Sequence, residues 1–283
     1  MKYCAHIVKM LLLLFACFLP VASSWGFEVD AHGMISQRAA TLFAEHYPEQ
    51  STKLASFIQA FIKGSKTEDD INITLQRAFN WHFADPGSRL GRTWWGAYRA
   101  NTHRFADLID QLAAADKGDK EAVFEIAGRL AHHIQDMRSP PHAVPIFHTS
   151  GEKFDEYGKE KTLSYALDTE QIRTVMSQPL RIDFASLDAL RQEAAIDTKQ
   201  QVDSPVVFQG NVIAPNWWEF WMGFEQVGSA CGKEPVEGFG CFGKSVYGIE
   251  TGVFTPEVFT WFHEQQIRKA IADTLWLLVA LGR

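Results

Sequence analysis

Between Leu130 and His148 the chain reads LAHHIQDMRSPPHAVPIFH, a stretch that holds four of its ten histidines. His132 and Asp136 stand four apart, which on a helix puts imidazole and carboxylate on one face, one turn apart. A neutral imidazole and an ionised carboxylate so placed can share a divalent metal. Pro140 and Pro141 stop the helix and turn the chain, which allows His142 to point back at the same centre. His148 and Glu152 repeat the four-residue spacing just downstream. One His-x-x-x-Asp pair is a common surface or core pairing. Two such pairs around an isolated histidine and a double-proline stop point to metal chemistry.

Three further candidates lie upstream. His82 sits between Trp and Phe in NWHFADP, and alone it reads as a hydrogen-bonded core histidine. His32, in DAHGMI, opens the first amphipathic segment and alone reads as a neighbour of a helix cap. Asp69 follows Gly64 by five in GSKTED, which alone reads as a solvated acidic loop leading into a helix.

Helical periodicity dominates the elements that must position these groups. His32–Tyr47 places Ile35, Ala39, Leu42 and Phe43 on one face, and Gln50–Lys63 does the same with Leu54, Phe57, Ile58 and Phe61. The spacing predicts a long helix over Thr93–Ala115 and another over Lys120–Met137, stopped by SPP. Lys153–Leu167, Asp183–Lys199 and Pro256–Leu281 are further predicted helices. Residues 200–254, rich in Gly, Trp and Phe, fit no single period and hold NWWEFW and a cysteine loop. The pattern is that of one all-α domain with a single long excursion.

The first 24 residues read as a cleaved secretory signal: Lys2 and Lys9, an apolar run from Met10 to Leu19 too short to span a bilayer, then Ala22 and Ser24 as small residues before a cut at Trp25. Residues 25–283 then form the mature domain, long enough for a real core. The formal charge of −7 becomes −9 without the two lysines. That is a poor match to a long polyanion, although bound metal ions could reverse the sign locally. Cys231 and Cys241 remain after cleavage, and in an oxidising compartment a disulfide closing this loop is expected.

Taken in order, these residues resemble the secreted bacterial zinc-dependent phospholipases C, the group that includes alpha-toxin and shares its fold with single-strand-specific zinc nucleases. The resemblance runs from Trp25 to about Lys161 through HGMI at His32, Gly64 with Asp69, HFADP at His82, HHIQDMRSPPH at His132–His142, and His148 with Glu152. It implies up to three zinc ions in one cleft. One would take His82, His132 and Asp136. A second would take His142, His148 and Glu152, with Asp155 in KFDEY as the alternative carboxylate. A third would take His32, Asp136 as a bridge, and the amino nitrogen and carbonyl oxygen of Trp25. Asp69 would serve as general base or extra ligand. His46, His103, His133 and His263 fall outside the pattern and read as ordinary surface or core histidines.

The implied activity is phosphodiester hydrolysis, with zinc bringing the pKa of water towards neutrality and offsetting charge on the phosphoryl oxygens. The favoured substrate is a glycerophospholipid such as phosphatidylcholine, cut between glycerol and phosphate, and NWWEFW could dock at a headgroup interface or equally form a core cluster. The alternative partner is single-stranded nucleic acid, with Trp81, Trp94 and Trp95 available for base stacking. A ligand at Trp25 would exist only after cleavage, because an amide nitrogen has its lone pair delocalised into the carbonyl. A free α-amine, with a pKa of about 7.7–8.0, can yield its proton to a metal. Protein freed by a protease to begin at Trp25 should therefore bind one more zinc per chain than protein beginning Met-Trp25. Equal zinc contents by native mass spectrometry would remove Trp25 from the ligand set.

Overall fold

The computed structural model describes residues 29–70, 91–93, 96–98, 101–144, 154, 159–177, 183–217 and 255–282. Among these, α1 (Val29–His46), α2 (Pro48–Asp70), α3 (Asn101–Ala114), α4 (Lys120–Asp136) and α9 (Pro256–Gly282) build the core. Shorter helices α5 (Pro140–Ala143), α6 (Lys159–Thr162) and α7 (Thr169–Ser177) and the longer α8 (Phe184–Asp203) surround it. Two antiparallel hairpins are the only strands among the described residues: β1 (Gly91–Thr93) with β2 (Gly96–Tyr98), and β3 (Val206–Phe208) with β4 (Asn211–Ala214). The fold is all-α.

The first two core helices bury the stripes their sequence spacing predicts. Ile35, Ala39, Leu42 and Phe43 of α1 meet Ile58 and Phe61 of α2, and Phe124, Ala127, Leu130 and Ile134 of α4 complete the layer with Ile267, Ile271, Leu275 and Leu278 of α9. Asp119 caps α4, its carboxylate accepting the N–H of Ala122 at 3.0 Å. At the other end Asp136 is the last helical residue, and Pro140 and Pro141 open α5 after a three-residue turn. The double proline thus turns the chain as expected. None of the described helices is long and apolar enough to cross a membrane.

Several local expectations are corrected. The helix predicted to start at Thr93 starts at Asn101, and Gly91↔Tyr98, Arg92↔Ala97 and Thr93↔Gly96 pair as a hairpin instead. Gly96, inside the predicted span, disfavours a helix interior and pairs with Thr93 across the hairpin. The second helix does not stop at Lys63; it continues through GSKTED to Asp70, so Asp69 lies on a helix rather than in a loop. From Lys159 onward, the predicted Lys153–Leu167 helix contains only the single turn of α6, followed by non-helical residues 163–168. Within the unassigned excursion, α8 runs on to Asp203 and the β3–β4 hairpin follows. Gln209 and Gly210 carry φ of 50° and 81° at its turn, the left-handed pair that a two-residue hairpin loop uses. Trp217 is buried and stacks on Phe262 at 3.9 Å between ring centroids, so this member of NWWEFW belongs to the core.

The contact between α2 and α4 is a backbone contact. A Cβ on Gly64 would fall 2.1 Å from the carbonyl oxygen of Glu125, and one on Gly128 would fall 2.0 Å from that of Phe61. No side chain can occupy either notch, and both obstacles are main chain, which cannot swing aside. Beyond the notches the two helices share a buried ion-pair network. Glu68 of α2 accepts from Arg104 of α3, with Nη2 2.8 Å from Oε2, and from Nε2 of His133 of α4 at 3.2 Å. Arg191 of α8 points Nη1 at Asn101 Oδ1 (3.4 Å), which turns the Asn101 NH2 onto His133 Nδ1 at 3.0 Å. His133 therefore accepts at Nδ1 and donates at Nε2. Burial alone would raise the Glu68 pKa, but the hydrogen bonds from His133 and Arg104 and the Arg104 charge outweigh it and hold the carboxyl well below its ordinary 4.5.

Two outcomes follow from this packing. Gly128→Ala should destabilise the fold by about 3 kcal/mol, because overpacking against main chain cannot relax; an unchanged denaturant midpoint would contradict the close approach. Glu68→Gln should cost about 3 kcal/mol near neutral pH, the scale of a broken buried ion pair. Because the folded-state pKa of Glu68 is depressed, its contribution is present above the ordinary 4.5 and is lost as pH falls below it. Urea melts at pH 7 and pH 3 should show the gap between wild type and Glu68→Gln narrowing in acid.

Candidate metal centre

The close approach of α2 to α4 also sets the first histidine of the site. His132, buried on α4, has Nδ1 2.8 Å from the main-chain carbonyl oxygen of Ser65, the residue after the Gly64 notch. A carbonyl only accepts, so Nδ1 carries the proton and Nε2 keeps its lone pair. That Nε2 faces Asp136 Oδ2 at 3.4 Å. His32, buried on α1, repeats the arrangement. Its Nδ1 lies 2.7 Å from the side-chain carbonyl oxygen of Gln135, and its Nε2 faces Asp136 Oδ1 at 3.4 Å. The two rings stack with centroids 3.8 Å apart.

Each imidazole thus turns an Nε2 lone pair towards a different oxygen of one buried carboxylate. Lone pairs facing each other in a low-dielectric interior repel unless a cation sits among them. One ligand atom from each of His32, His132 and Asp136 lies within 4.8 Å of the others. Zinc bonds of about 2.0–2.1 Å at a tetrahedral angle keep two ligand atoms ~3.4 Å apart, which is the spacing on both sides of Asp136. The second nitrogens donate to carbonyl oxygens, as metal-ligating histidines do. Neutral imidazole, ionised carboxylate, spacing and outer hydrogen bonds all fit zinc.

The end of α4 is held firmly where Asp136 needs it. Arg138, two residues on, donates to Asp273 of α9 (2.7 Å) and Asp197 of α8 (2.5 Å), and Lys269 of α9 joins Asp197 at 2.7 Å. Burial alone would lower the Arg138 pKa, but the two carboxylates raise it, so the guanidinium stays charged.

The structure therefore brings together His32, His132 and Asp136, three of the nine residues singled out in the sequence. His142 is buried on α5 but stands outside this group of three. Asp69 lies in the last turn of α2, its side chain outside the described residues. Trp25, His82, His148, Glu152 and the alternative Asp155 also lie outside them, as do the signal segment, Trp81, Trp94, Trp95, Cys231 and Cys241. Of the histidines set aside, His46 and His103 are exposed, His133 is tied to Glu68, and His263 is buried against Phe154. Sequence reading missed the Ser65 carbonyl and Gln135. A main-chain acceptor leaves no signature in residue type. Gln135 could have been flagged as a buried-face amide one residue before a candidate ligand.

No protein-family model and no curated protein sequence matches the chain. Among solved structures it is similar to the crystal structure of Clostridium perfringens alpha-toxin from an avian strain, with a TM-score of 0.54 and 11% sequence identity. The match covers 91% of this chain and 65% of the toxin chain, so the chain spans less than two thirds of the toxin's length. At that identity the likeness is one of fold: the helical architecture that carries His32, His132 and Asp136 is of the alpha-toxin kind.

Proposed function

We propose that the protein is a secreted zinc metallohydrolase that cleaves phosphodiester bonds, acting as a phospholipase C on glycerophospholipids such as phosphatidylcholine. The observation that carries the proposal is the buried convergence of the His32 and His132 Nε2 atoms on the two oxygens of Asp136, each at 3.4 Å, in a fold similar to that of alpha-toxin. Zinc, when bound, supplies Lewis acidity that makes water nucleophilic near neutral pH and offsets charge on phosphoryl oxygens. The chain's own part is to hold and orient it. Asp136 would help hold zinc together with each histidine, and the Ser65 and Gln135 carbonyls keep each Nδ1 protonated so that Nε2 stays basic. His82, His142, His148, Glu152 and Trp25 complete the ligand set in this reading, and Asp69 takes the proton from the attacking water. Up to three zinc ions bind per chain after the signal is cleaved before Trp25, and Cys231 pairs with Cys241 in the oxidising compartment.

The test is hydrolysis of phosphatidylcholine and, in parallel, of single-stranded DNA, with and without chelator. The expected result is chelator-sensitive release of diacylglycerol with little DNA cleavage. DNA cleavage without lipid cleavage would move the assignment to the nuclease alternative, and chelator-resistant activity would sink the metal centre.

Asp136→Asn should lower lipid hydrolysis more than 100-fold or so, beyond the 10–100-fold typical of losing an outer-shell partner, and should reduce the zinc content. Glu152→Gln should cost less, since Glu152 is assigned to one ion and Asp136 to two. Asp155→Asn run alongside decides the remaining carboxylate: loss of zinc there, with Glu152→Gln intact, would reassign the ligand.

A further inference from the structure

We infer that Gln135, anchored by Thr274 of the last helix, is the positioning residue that commits His32 to bind metal through Nε2. This rests on the reading of His32, His132 and Asp136 as a metal centre. The reasoning is a count of protons. Thr274, buried on α9, has its hydroxyl oxygen 2.7 Å from the carbonyl oxygen of Ala270, four residues earlier, and a hydroxyl has only one proton to give. With that proton donated to Ala270, Thr274 can only accept from its other neighbour. That neighbour is the Gln135 amide, 3.0 Å away, so it must present its NH2 there. The same NH2 donates to the Ser36 hydroxyl oxygen, also at 3.0 Å. Both amide protons are then committed, and the Gln135 carbonyl oxygen is left facing His32 Nδ1 at 2.7 Å. It cannot donate, so His32 must, and the lone pair is driven to Nε2, which faces Asp136.

The direction of four consecutive hydrogen bonds is thus set from α9 inward. A histidine without such a partner divides between two tautomers, and only one of them offers Nε2 as a ligand. Gln135, on α4, is fully buried and spends its amide on two other helices: α1 through His32 and Ser36, and α9 through Thr274. No such expenditure is needed to fill space, since a leucine or methionine would fill it without polar cost. His132 is oriented by a main-chain carbonyl, which no side-chain substitution removes. For His32, one side chain carries the whole arrangement.

The test uses the full mature protein loaded with zinc. With 15N-labelled histidine, the His32 ring should show a proton on Nδ1 and none on Nε2; a proton on Nε2 would overturn the inference whatever the variants do. Zinc affinity is then measured by competition with a chromophoric chelator. Gln135→Leu, which removes the acceptor, should weaken the tightest-bound ion 10–100-fold, the range seen for outer-shell partners. Gln135→Glu should recover most of the lost affinity, because a carboxylate oxygen still accepts from the His32 Nδ1–H while the Ser36 hydroxyl turns its proton onto the other oxygen. Rescue by Glu separates orientation of His32 from mere packing. Zinc affinity unchanged in Gln135→Leu would reject the role of Gln135 and leave the metal centre standing. Absence of zinc binding in the wild-type protein would reject the centre itself.

Discussion

The structure depends on the approach of two helix backbones at Gly64 and Gly128. Where a Cβ would lie about 2 Å from a carbonyl oxygen on the opposite helix, only hydrogen fits, and the helices close to a distance that ordinary side chains forbid. That closeness lets a main-chain carbonyl, Ser65, serve as a partner for His132, and lets Glu68 reach His133 and Arg104 across the same seam. A bulkier seam would move α4 away and break both at once. The glycine whose spacing to Asp69 forms part of the family resemblance thus has a physical reason of its own.

Around that seam, the described buried charges are met by partners of opposite sign. Glu68 is held by Arg104 and His133, and Arg138 is held by Asp273 and Asp197. The His32 and His132 Nε2 atoms turn lone pairs towards Asp136, because each histidine has already committed its Nδ1 proton to a carbonyl. The spacing of His32 Nε2 and His132 Nε2 on the two Asp136 oxygens suits a cation. Neighbouring residues of one helix differ in this respect: His133 turns an N–H to its carboxylate, whereas His132, one residue before it, turns a lone pair.

Much of this was legible in the sequence. The His132–Asp136 spacing placed both groups on one helical face, and the double proline ended that helix where expected. The apolar stripes of α1 and α2 followed the helical period. His32, which alone looked like a cap neighbour, could be joined to the others only through the family resemblance, because its partner lies 104 residues on in the chain. What stayed illegible depended on tertiary contact. The β1–β2 hairpin hid behind an apolar period that happened to suit a helix. Gln135 could be marked as a buried amide, but not assigned a role, because that is set by which of its two ends faces which neighbour. GSKTED looked like a solvated loop because it is polar, yet Ser65 and Glu68 are buried by α4. Polarity in the interior is decided by partners, and partners from other helices are not written in local spacing.

The central claim is that metal is held where His32 Nε2 and His132 Nε2 meet the Asp136 carboxylate. The most direct measurement is diffraction from crystals grown with zinc, recorded on either side of the zinc absorption edge. The account predicts an anomalous difference peak among these three atoms, present above the edge and absent below it, with both Nδ1 atoms still on the carbonyl oxygens of Ser65 and Gln135. A site without that peak in zinc-containing crystals, with Asp136 instead accepting protons from two imidazolium rings, would contradict it.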